Sequence, residues 1–121
     1  MQDFKKTFIW QKSFKLNGKI YEISKKFPKD ELFALTSQIK RASTSICSNI
    51  AEGCGRTSNK DFANFLHIAF GSLKEVECQI LIAEREKYVS NEEYSNIQEN
   101  INELSAMMVS FIKRIKYSQT H

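Results

Sequence analysis

Residues that break helices are scarce in this chain. Its 121 residues include a single proline, Pro28, and only four glycines. Such sparse breakers predict long helices joined by short connections, and no stretch shows the alternation that is typical of a strand. The sequence therefore favours an all-α protein, and its length predicts one domain over residues 1–121.

Long apolar segments are also missing. The longest uncharged run covers the twelve residues 62–73, whereas a helix needs about 20 apolar residues to cross a bilayer. The amino terminus carries Lys5 and Lys6 with no long apolar stretch behind them, so it does not resemble a signal peptide. We expect a cytoplasmic protein with no membrane partner.

Cysteine and histidine occur too rarely to predict a disulfide or a metal site. The cysteines at 47, 54 and 78 form no C-x-x-C pair, and neither His67 nor His121 has ligand-like spacing to them. Two helical turns separate Cys47 from Cys54, or about 10 Å, which is too far for a disulfide. An odd number of cysteines without a secretory signal indicates reduced thiols.

The motifs of the common catalytic classes are absent as well. The chain contains no G-x-x-x-x-G-K-[ST] phosphate loop, no G-x-G-x-x-G, no H-E-x-x-H and no G-x-S-x-G. A di-metal bundle needs a Glu-x-x-His pair, but the residue three before His67 is Asn64. We therefore expect no enzymatic activity, no cofactor and no small-molecule substrate.

The chain is rich in apolar residues at helical spacing. They recur at alternating intervals of three and four, as helix seams do. Ser58 with Asp61 and Ser90 with Glu93 predict capping boxes at the start of the third and fourth helices. Together these signals predict an antiparallel up-down-up-down four-helix bundle, with helices at about residues 7–27, 30–52, 59–87 and 91–117.

The apolar seam of the second helix begins at Leu32 and, when continued, reaches Asn49. A buried or half-buried asparagine on a seam more often sets register through a hydrogen bond than serves a function. Helices one and three carry more apolar residues than a four-helix core requires. We expect these two helices to form the subunit interface of a homo-oligomer, with His67 as a structural residue of the interface or core.

Charge is distributed unevenly, although the net charge is only +4. Residues 1–29 carry eight lysines against two acidic residues, whereas residues 59–110 hold four basic and nine acidic side chains. Alternating helix direction would bring the start of helix one, the turn between helices two and three, and the end of helix four together. We call this region the basic end; its basic residues are Lys5, Lys6, Arg56, Lys60, Lys113, Arg114 and Lys116.

A second basic feature lies along helix one, and we call it the helix-one strip. It consists of Lys12, Lys15, Lys19 and Lys26. Next to Phe14 and Tyr21, such a strip suits a phosphate backbone and stacked bases. A solvated lysine face that only keeps the protein soluble is the alternative interpretation and the commoner situation.

The most distinctive segment runs from Gln38 to Gly55 and leads into helix three. Its polar and turn-forming residues are Ser45, Asn49, Glu52, Gly53, Gly55, Arg56 and Ser58. We expect Glu52 to pair with Arg56, Gly53 or Gly55 to supply a left-handed helix end, and Ser58 to cap the next helix. Two alternatives are a phosphate bound at the start of helix three beside Arg56 and Lys60, and an enzyme that uses Glu52 and Arg56.

The same segment carries a family resemblance. Gln-Ile-Lys-Arg-Ala-Ser-Thr-Ser-Ile at 38–46, Asn-Ile-Ala-Glu-Gly at 49–53, Gly-Arg at 55–56 and Gly-Ser-Leu at 71–73 resemble the bacterial four-helix bundle proteins encoded in intervening sequences of 23S ribosomal RNA genes. This resemblance implies a four-helix protomer, a ring-like homopentamer and no known enzymatic activity. Related accessory proteins of diversity-generating retroelements are similar pentamers with basic surfaces that engage a reverse transcriptase and nucleic acid.

The resemblance also implies a role for individual residues, namely to form the turn and the interface. By position these residues are Arg41, Ser45, Asn49, Glu52, Gly53, Gly55, Arg56 and Ser58. Two departures stand out, because family members commonly have proline at the position of Cys47 and a Leu-Gly-Tyr-like end to helix three. This chain reads Glu-Lys-Tyr at 86–88, from which we expect a longer third helix.

Two functional hypotheses follow. In the first, a non-catalytic oligomeric bundle presents the basic end, the helix-one strip and Arg41 to RNA or to an enzyme that acts on nucleic acid. In the second, the protein is a protein-interaction scaffold with no nucleic-acid role, and its basic charge only aids solubility.

Overall fold

The computed structural model describes the backbone of residues 2–120 and the side chains of residues 2–116. Over that range the chain forms four α-helices and no strand. In chain order they are α1 (Phe8–Ser24), α2 (Leu35–Cys54), α3 (Asn59–Arg85) and α4 (Asn91–Thr120). Two short 3₁₀ turns, Phe4–Lys6 and Lys29–Glu31, precede α1 and α2.

The four helices form the predicted bundle. Each helix packs against its neighbours in the chain, and α1 also packs against α4. Neither diagonal pair, α1 with α3 or α2 with α4, makes comparable contacts among the described residues. This arrangement confirms the all-α four-helix architecture, in which short links reverse the chain direction after every helix.

Side-chain caps begin three of the helices. Thr7 Oγ1 accepts a hydrogen bond from the Trp10 amide at 3.3 Å at the start of α1. The Ser90 and Glu93 capping box is complete, because each side chain accepts a bond from the other residue's amide, at 3.0 and 2.9 Å. At α3 the Ser58 hydroxyl accepts from the Asp61 amide at 3.1 Å, so this serine caps the helix as expected.

The predicted boundaries were wrong around the first link. α1 ends at Ser24 rather than near residue 27, because Pro28 disfavours helical geometry at the residue before it. The link then forms a 3₁₀ turn, and Ala34 leaves the helical region with φ −124° and ψ −106°, so α2 starts at Leu35 rather than near residue 30. Leu32, which the sequence placed on the core seam, lies in this link and is 52% exposed.

A single apolar cluster fills the centre of the bundle and draws on all four helices. Its largest fully buried side chains include Leu16, Ile20, Ile39, Ile46, Ile50, Leu66, Leu73, Ile80, Ile101, Leu104 and Met108. On α3, Leu66 is fully buried, whereas Ile68 is 53% exposed. No described helix is long and apolar enough to cross a membrane.

Helices α2 and α3 form the most extensive pair, and Gly53 allows their close approach. A Cβ atom at Gly53 would lie 2.8 Å from Cδ1 of Phe62 and 3.1 Å from Cβ of Phe65. Neither Gly53 nor Gly55 has a positive φ, so the predicted left-handed helix end was wrong at both. The turn instead closes through i to i−3 bonds, from the amide of Gly55 to the carbonyl of Glu52 and from that of Arg56 to Gly53.

A residue with left-handed backbone conformation occurs at the end of α3, where the sequence did not predict one. Lys87 has φ 63°, and it is the one described non-glycine residue with a positive φ. Its amide donates to the Glu84 carbonyl at 3.0 Å, and the Tyr88 amide donates to Ala83 at 2.9 Å, which together form a Schellman motif. The expected lengthening of helix three was therefore wrong, since lysine adopts here the conformation that favours glycine.

We expect Gly53→Ala to destabilise the fold by about 1–3 kcal/mol, because the new methyl group must displace the Phe62 ring. Gly55→Ala is the matched control: its Cβ would meet only the Glu52 carbonyl oxygen, at 3.4 Å. Urea unfolding of both variants measures the difference. Equal stability of the two variants would contradict a packing role for Gly53.

Lys87→Gly is expected to stabilise the protein by about 1 kcal/mol, because glycine adopts the left-handed conformation without the strain of a Cβ atom. Glu86→Gly serves as control, since Glu86 has an ordinary φ of −80°. Glycine there adds freedom to the unfolded chain and removes the exposed ion pair with Arg85. Thermal unfolding should rank Lys87→Gly above the natural protein and Glu86→Gly below it. A loss of stability in both variants would argue against strain at Lys87.

Candidate nucleic-acid interface

Two contacts assemble the basic end. The backbone amide of Gln2 donates to the carbonyl of Cys54 at 2.9 Å, which ties the start of the chain to the end of α2. The rings of Phe62 and Phe111 lie 5.5 Å apart and join the start of α3 to the last part of α4. The basic residues at this end are all exposed, and they are Lys5, Lys6, Arg56, Lys60, Lys113, Arg114 and Lys116.

A groove of about 500 Å³ opens at this end between the start of α1 and α4, and we call it the terminal groove. Lys6 and Arg114 bring positive charge to its lining, and Phe8, Met107 and Phe111 bring apolar surface. Phe8 is 75% exposed, although large apolar side chains are usually buried. Its ring is therefore available for contact with a ligand. A cationic groove with an accessible aromatic ring is the combination that single-stranded nucleic acids favour.

A smaller cavity of about 330 Å³ adjoins the terminal groove and shares Gln2, Phe111 and Arg114 with it. Asn59, the first residue of α3, lines this cavity from the other side. The guanidinium of Arg114 also lies over the Phe111 ring, 5.2 Å from its centroid. The two cavities thus form a continuous surface from the start of α1 to the start of α3.

Arg56 is occupied by contacts within the protein. Its guanidinium lies 3.1 Å from Oε1 of Glu52 and 4.6 Å from the centroid of the Phe65 ring. The predicted pairing of Glu52 with Arg56 is therefore confirmed. Both side chains are about half exposed, and the pair sits directly at the turn where α2 meets α3, which indicates a role in holding the turn.

The helix-one strip is largely matched by acceptors on α4. Nζ of Lys12 lies 2.5 Å from the Glu103 carboxylate, and Nζ of Lys19 donates to Asn96 at 2.8 Å. The hydrogen bond from Lys12 lowers the pKa of Glu103 below its ordinary value. Lys15 differs from the other lysines of the strip. It is exposed, and its side chain makes no ion pair or hydrogen bond within residues 2–116.

Lys26, at the far end of the strip, pairs with Glu93. That hydrogen bond lowers the pKa of Glu93, and a bond from the Ser90 amide acts in the same direction. The strip therefore offers less unbalanced charge than a count of its lysines indicates.

Arg41 lies apart from the other candidate residues. It is thirteen positions before the end of α2, a separation of about 20 Å along a helix. There it lines a pocket between α2 and α3 rather than the basic end. The sequence grouped Arg41 with the turn residues, and the structure separates them.

Ser45 links α2 to α3, and Asn49 bonds to Ser45 from within α2. Ser72 of α3 donates to the hydroxyl of Ser45 at 2.9 Å, and Asn49 donates to the same hydroxyl at 3.0 Å and to the Ser45 carbonyl at 2.8 Å. The half-buried Asn49 is thus a structural hydrogen-bonding residue, as its place on the seam indicated.

The thiols offer no site of their own. Cys47, Cys54 and Cys78 are all free. Burial raises the pKa of Cys47 and of Cys54, which disfavours their reactive thiolate forms. Within the described residues, no group of three or more histidine, cysteine, aspartate and glutamate side chains could hold a metal ion.

Sequence reasoning missed the exposed side chains of the first link. Phe33 is 93% exposed next to the half-exposed Leu32. Two adjacent large apolar residues directly after the charged residues 29–31 were the available signal. It also missed Phe8 and Met107 as parts of a groove, because only the packing of α1 against α4 brings them together.

A comparison with protein families now identifies the chain's relatives. The family model described as 23S rRNA-intervening sequence protein matches residues 5–110. The chain belongs to this family. The resemblance found in the 38–73 segment is thereby confirmed over most of the chain.

Among solved structures, the chain is similar to a protein of unknown function of the S23 ribosomal protein family from Bacteroides thetaiotaomicron. The two share 30% sequence identity and superpose with a TM-score of 0.81, over 87% of this chain and 98% of the other. No curated protein gives a significant match.

The family match divides the basic end. Lys5, Lys6 and Lys60 fall within the matched residues 5–110, whereas Lys113, Arg114 and Lys116 lie beyond them. Of the α4 residues that line the terminal groove, Ala106, Met107 and Ser110 also lie within the match, whereas Phe111 and Arg114 lie beyond it.

Proposed function

We propose that this member of the family is a non-catalytic, self-assembling bundle that binds RNA through its basic end. The observation that carries the proposal is the terminal groove, which Lys6 and Arg114 line together with the exposed Phe8. RNA binding by such a surface needs phosphate contacts for affinity and a ring for base stacking. The groove offers Lys6 and Arg114 for phosphate contacts and the Phe8 ring for stacking.

Structured RNA with a single-stranded segment is the ligand class that we favour. Proteins contact single-stranded loops and ends by stacking splayed bases on aromatic rings, which duplex RNA does not permit. The family description refers to an intervening sequence of 23S rRNA, so such an RNA is the natural first probe.

The helix-one strip plays the smaller part in this proposal. Lys12 and Lys19 already bind Glu103 and Asn96 across the α1–α4 contact. A phosphate at either lysine must compete with that partner, so the gain in binding free energy is smaller than at a lysine without one.

A charge-matched pair of triple variants tests the proposal. Lys5→Gln with Lys6→Gln and Arg114→Gln removes three positive charges from the basic end, and Lys12→Gln with Lys15→Gln and Lys19→Gln removes three from the strip. Mobility shifts with structured RNA at two salt concentrations should show weaker binding for the first variant, and its salt slope should fall by about one for each phosphate that the variant no longer binds. The second variant should lose less affinity.

Three results would count against this assignment. Equal losses in the two triple variants would mean that only total charge matters, and a larger loss in the strip variant would move the interface to α1. Absence of salt-sensitive binding by the natural protein would remove the RNA function altogether, and a protein partner that co-purifies after nuclease treatment would then support a scaffold.

The ring of Phe8 has its own matched control. Phe8→Ala should weaken binding roughly 5- to 150-fold if one base stacks on the ring, which corresponds to about 1–3 kcal/mol. Phe33→Ala removes a ring that is even more exposed, at the opposite end of the molecule, and should leave binding unchanged.

Self-assembly, the other half of the proposal, is supported by exposed apolar side chains on α1 and α3. Phe14 and Tyr21 are 57% and 41% exposed on α1, and Ile68 and Leu81 are 53% and 47% exposed on α3. Gly18, between Phe14 and Tyr21, has open space around its Cβ position, which permits another helix to approach closely. The family resemblance implies five protomers in the assembly.

Phe14→Glu and Ile68→Glu should each lower the sedimentation coefficient toward that of a monomer, because a charge would be buried in the interface. Phe33→Glu places the same charge on the exposed link and should leave the assembly intact. Sedimentation velocity distinguishes these outcomes. Dissociation by Phe33→Glu alone would place the interface at the first link instead of on α1 and α3.

A further inference from the structure

The first link, residues 25–34 between α1 and α2, exposes apolar surface that neither the core nor the terminal groove uses. Phe33 is 93% exposed, the largest exposed fraction of any large apolar side chain described, and Leu32 beside it is 52% exposed. Side chains of this type are usually buried. Two of them next to each other on one link indicate an interaction site.

Hydrogen bonds hold this link in a defined conformation. The amide of Glu31 donates to the carbonyl of Pro28 at 2.9 Å, and the amide of Ala34 donates to the carbonyl of Glu31 at 2.9 Å. The Glu31 carboxylate also accepts a bond from the Tyr88 hydroxyl at 2.8 Å, which ties the link to the segment after α3. A partner that binds an ordered link loses less binding free energy to the ordering of the chain.

A groove of about 420 Å³ lies at the same link, and we call it the link groove. No carboxylate among the described residues lines it. By contrast, lysines and glutamates together line the cavity between α1 and the start of α4. The lining of the link groove includes three apolar residues and three lysines, namely Phe27, Pro28, Leu32, Lys25, Lys29 and Lys40.

The lysines of the link groove are only weakly engaged by other residues. Lys29 is exposed, and its ammonium group makes no ion pair within residues 2–116. The ammonium group of Lys40 lies 4.7 Å from the centroid of the Tyr21 ring, a contact that positions the cation without neutralising it. Lys25 lies 3.2 Å from the Glu22 carboxylate, but both side chains are more than 70% exposed, and such surface pairs are weak. An anionic group in the groove therefore meets little competition.

The charges around the link groove distinguish a peptide from a nucleic acid. The same end of the bundle carries the exposed carboxylates of Asp30, Glu86 and Glu92. A nucleic-acid strand has a phosphate at every nucleotide, so it would meet these carboxylates as it leaves the groove. A peptide can confine its negative charges to the lysines and place apolar side chains between them. The surface therefore favours a peptide.

We propose that the first link is the docking site for a protein partner that presents an acidic segment with an aromatic or leucine side chain. The carboxylates of this segment pair with Lys25, Lys29 and Lys40, and its apolar side chain packs against Leu32 and the neighbouring ring of Phe33. In interfaces of this kind an aromatic residue supplies much of the affinity, and the surrounding charges select the partner. The link lies at the opposite end of the bundle from the basic end, so a partner bound here leaves the terminal groove open.

A displayed library of short random peptides tests the chemistry of the partner. The full-length variant with Lys5→Gln, Lys6→Gln and Arg114→Gln is the target, because its reduced charge at the basic end lowers the binding of acidic peptides there. Selection should enrich peptides that combine acidic residues with an aromatic or leucine residue. Absence of enrichment, or enriched peptides without acidic residues, would overturn the proposal.

The most enriched peptide, made synthetically, then locates the site on the natural protein. Phe33→Ala should raise its Kd roughly 30-fold, the loss that marks an aromatic hot spot. Phe8→Ala is the matched control, because it removes an exposed ring at the basic end, and it should leave the Kd unchanged. Fluorescence anisotropy measures both values. Equal effects of the two substitutions would overturn the proposal.

The contribution of charge has its own pair of variants. Lys25→Gln with Lys29→Gln and Lys40→Gln should raise the Kd of the peptide and reduce its dependence on salt, since fewer ionic contacts remain to be screened. A peptide with Asn and Gln in place of its acidic residues should bind the natural protein with the same weak, salt-independent affinity. Unchanged binding in either experiment would count against the proposal.

Other occupants of the link would give different results. A lower sedimentation coefficient on Phe33→Glu would show that a second copy of the chain covers the link, and displacement of the peptide by structured RNA would show that the groove binds nucleic acid. Either result would overturn the proposal. RNA binding is expected to depend on Phe8 and peptide binding on Phe33, so the failure of one function leaves the other intact.

Discussion

The close contact between α2 and α3 is the constraint on which the rest of the structure depends. At the turn, Gly53 leaves room for the Phe62 ring where a methyl group would lie only 2.8 Å away. Further along, Ser72 and Ser45 share a hydrogen bond of 2.9 Å across the same contact. Small residues on α2 permit this approach. The approach sets the rotation of both helices, and with it the side chains that line the pocket between them, Arg41 included.

The basic end follows from chain direction once the helices are packed. Antiparallel neighbours bring the start of α1, the α2–α3 turn and the end of α4 together, and the amide of Gln2 bonds to the carbonyl of Cys54 across this end. Like charges gathered in this way repel one another, which destabilises a compact state unless a counter-charge is present. An anionic partner relieves that repulsion, and Glu52 relieves part of it at Arg56.

The lysines along α1 show that acceptors on a neighbouring helix can engage charges that the sequence presents as an open cationic face. The strip forms a continuous cationic face in the sequence, but Glu103 and Asn96 on α4 engage Lys12 and Lys19. The same helix pairing that buries Leu16 and Ile20 brings these acceptors to the strip. At the basic end, the terminal groove combines a cationic lining with the exposed ring of Phe8.

The sequence by itself determined the helix count, the seams, the caps at Ser58 and Ser90 and the family, because these features depend on residues close together in the chain. The sequence pattern wrongly placed Leu32 in the core, because the break in the helix at Ala34 leaves no periodic signal. It also wrongly predicted a left-handed conformation for a glycine of the turn, because the close approach of Phe62 to Gly53 leaves no such signal either.

Only the tertiary structure decided which lysines are paired, why position 53 has no room for a side chain, and that Arg41 lines a pocket away from the turn. These features depend on how each helix is rotated against its neighbours. That rotation is set by packing between residues far apart in the chain, and the spacing of residues within one helix does not record it.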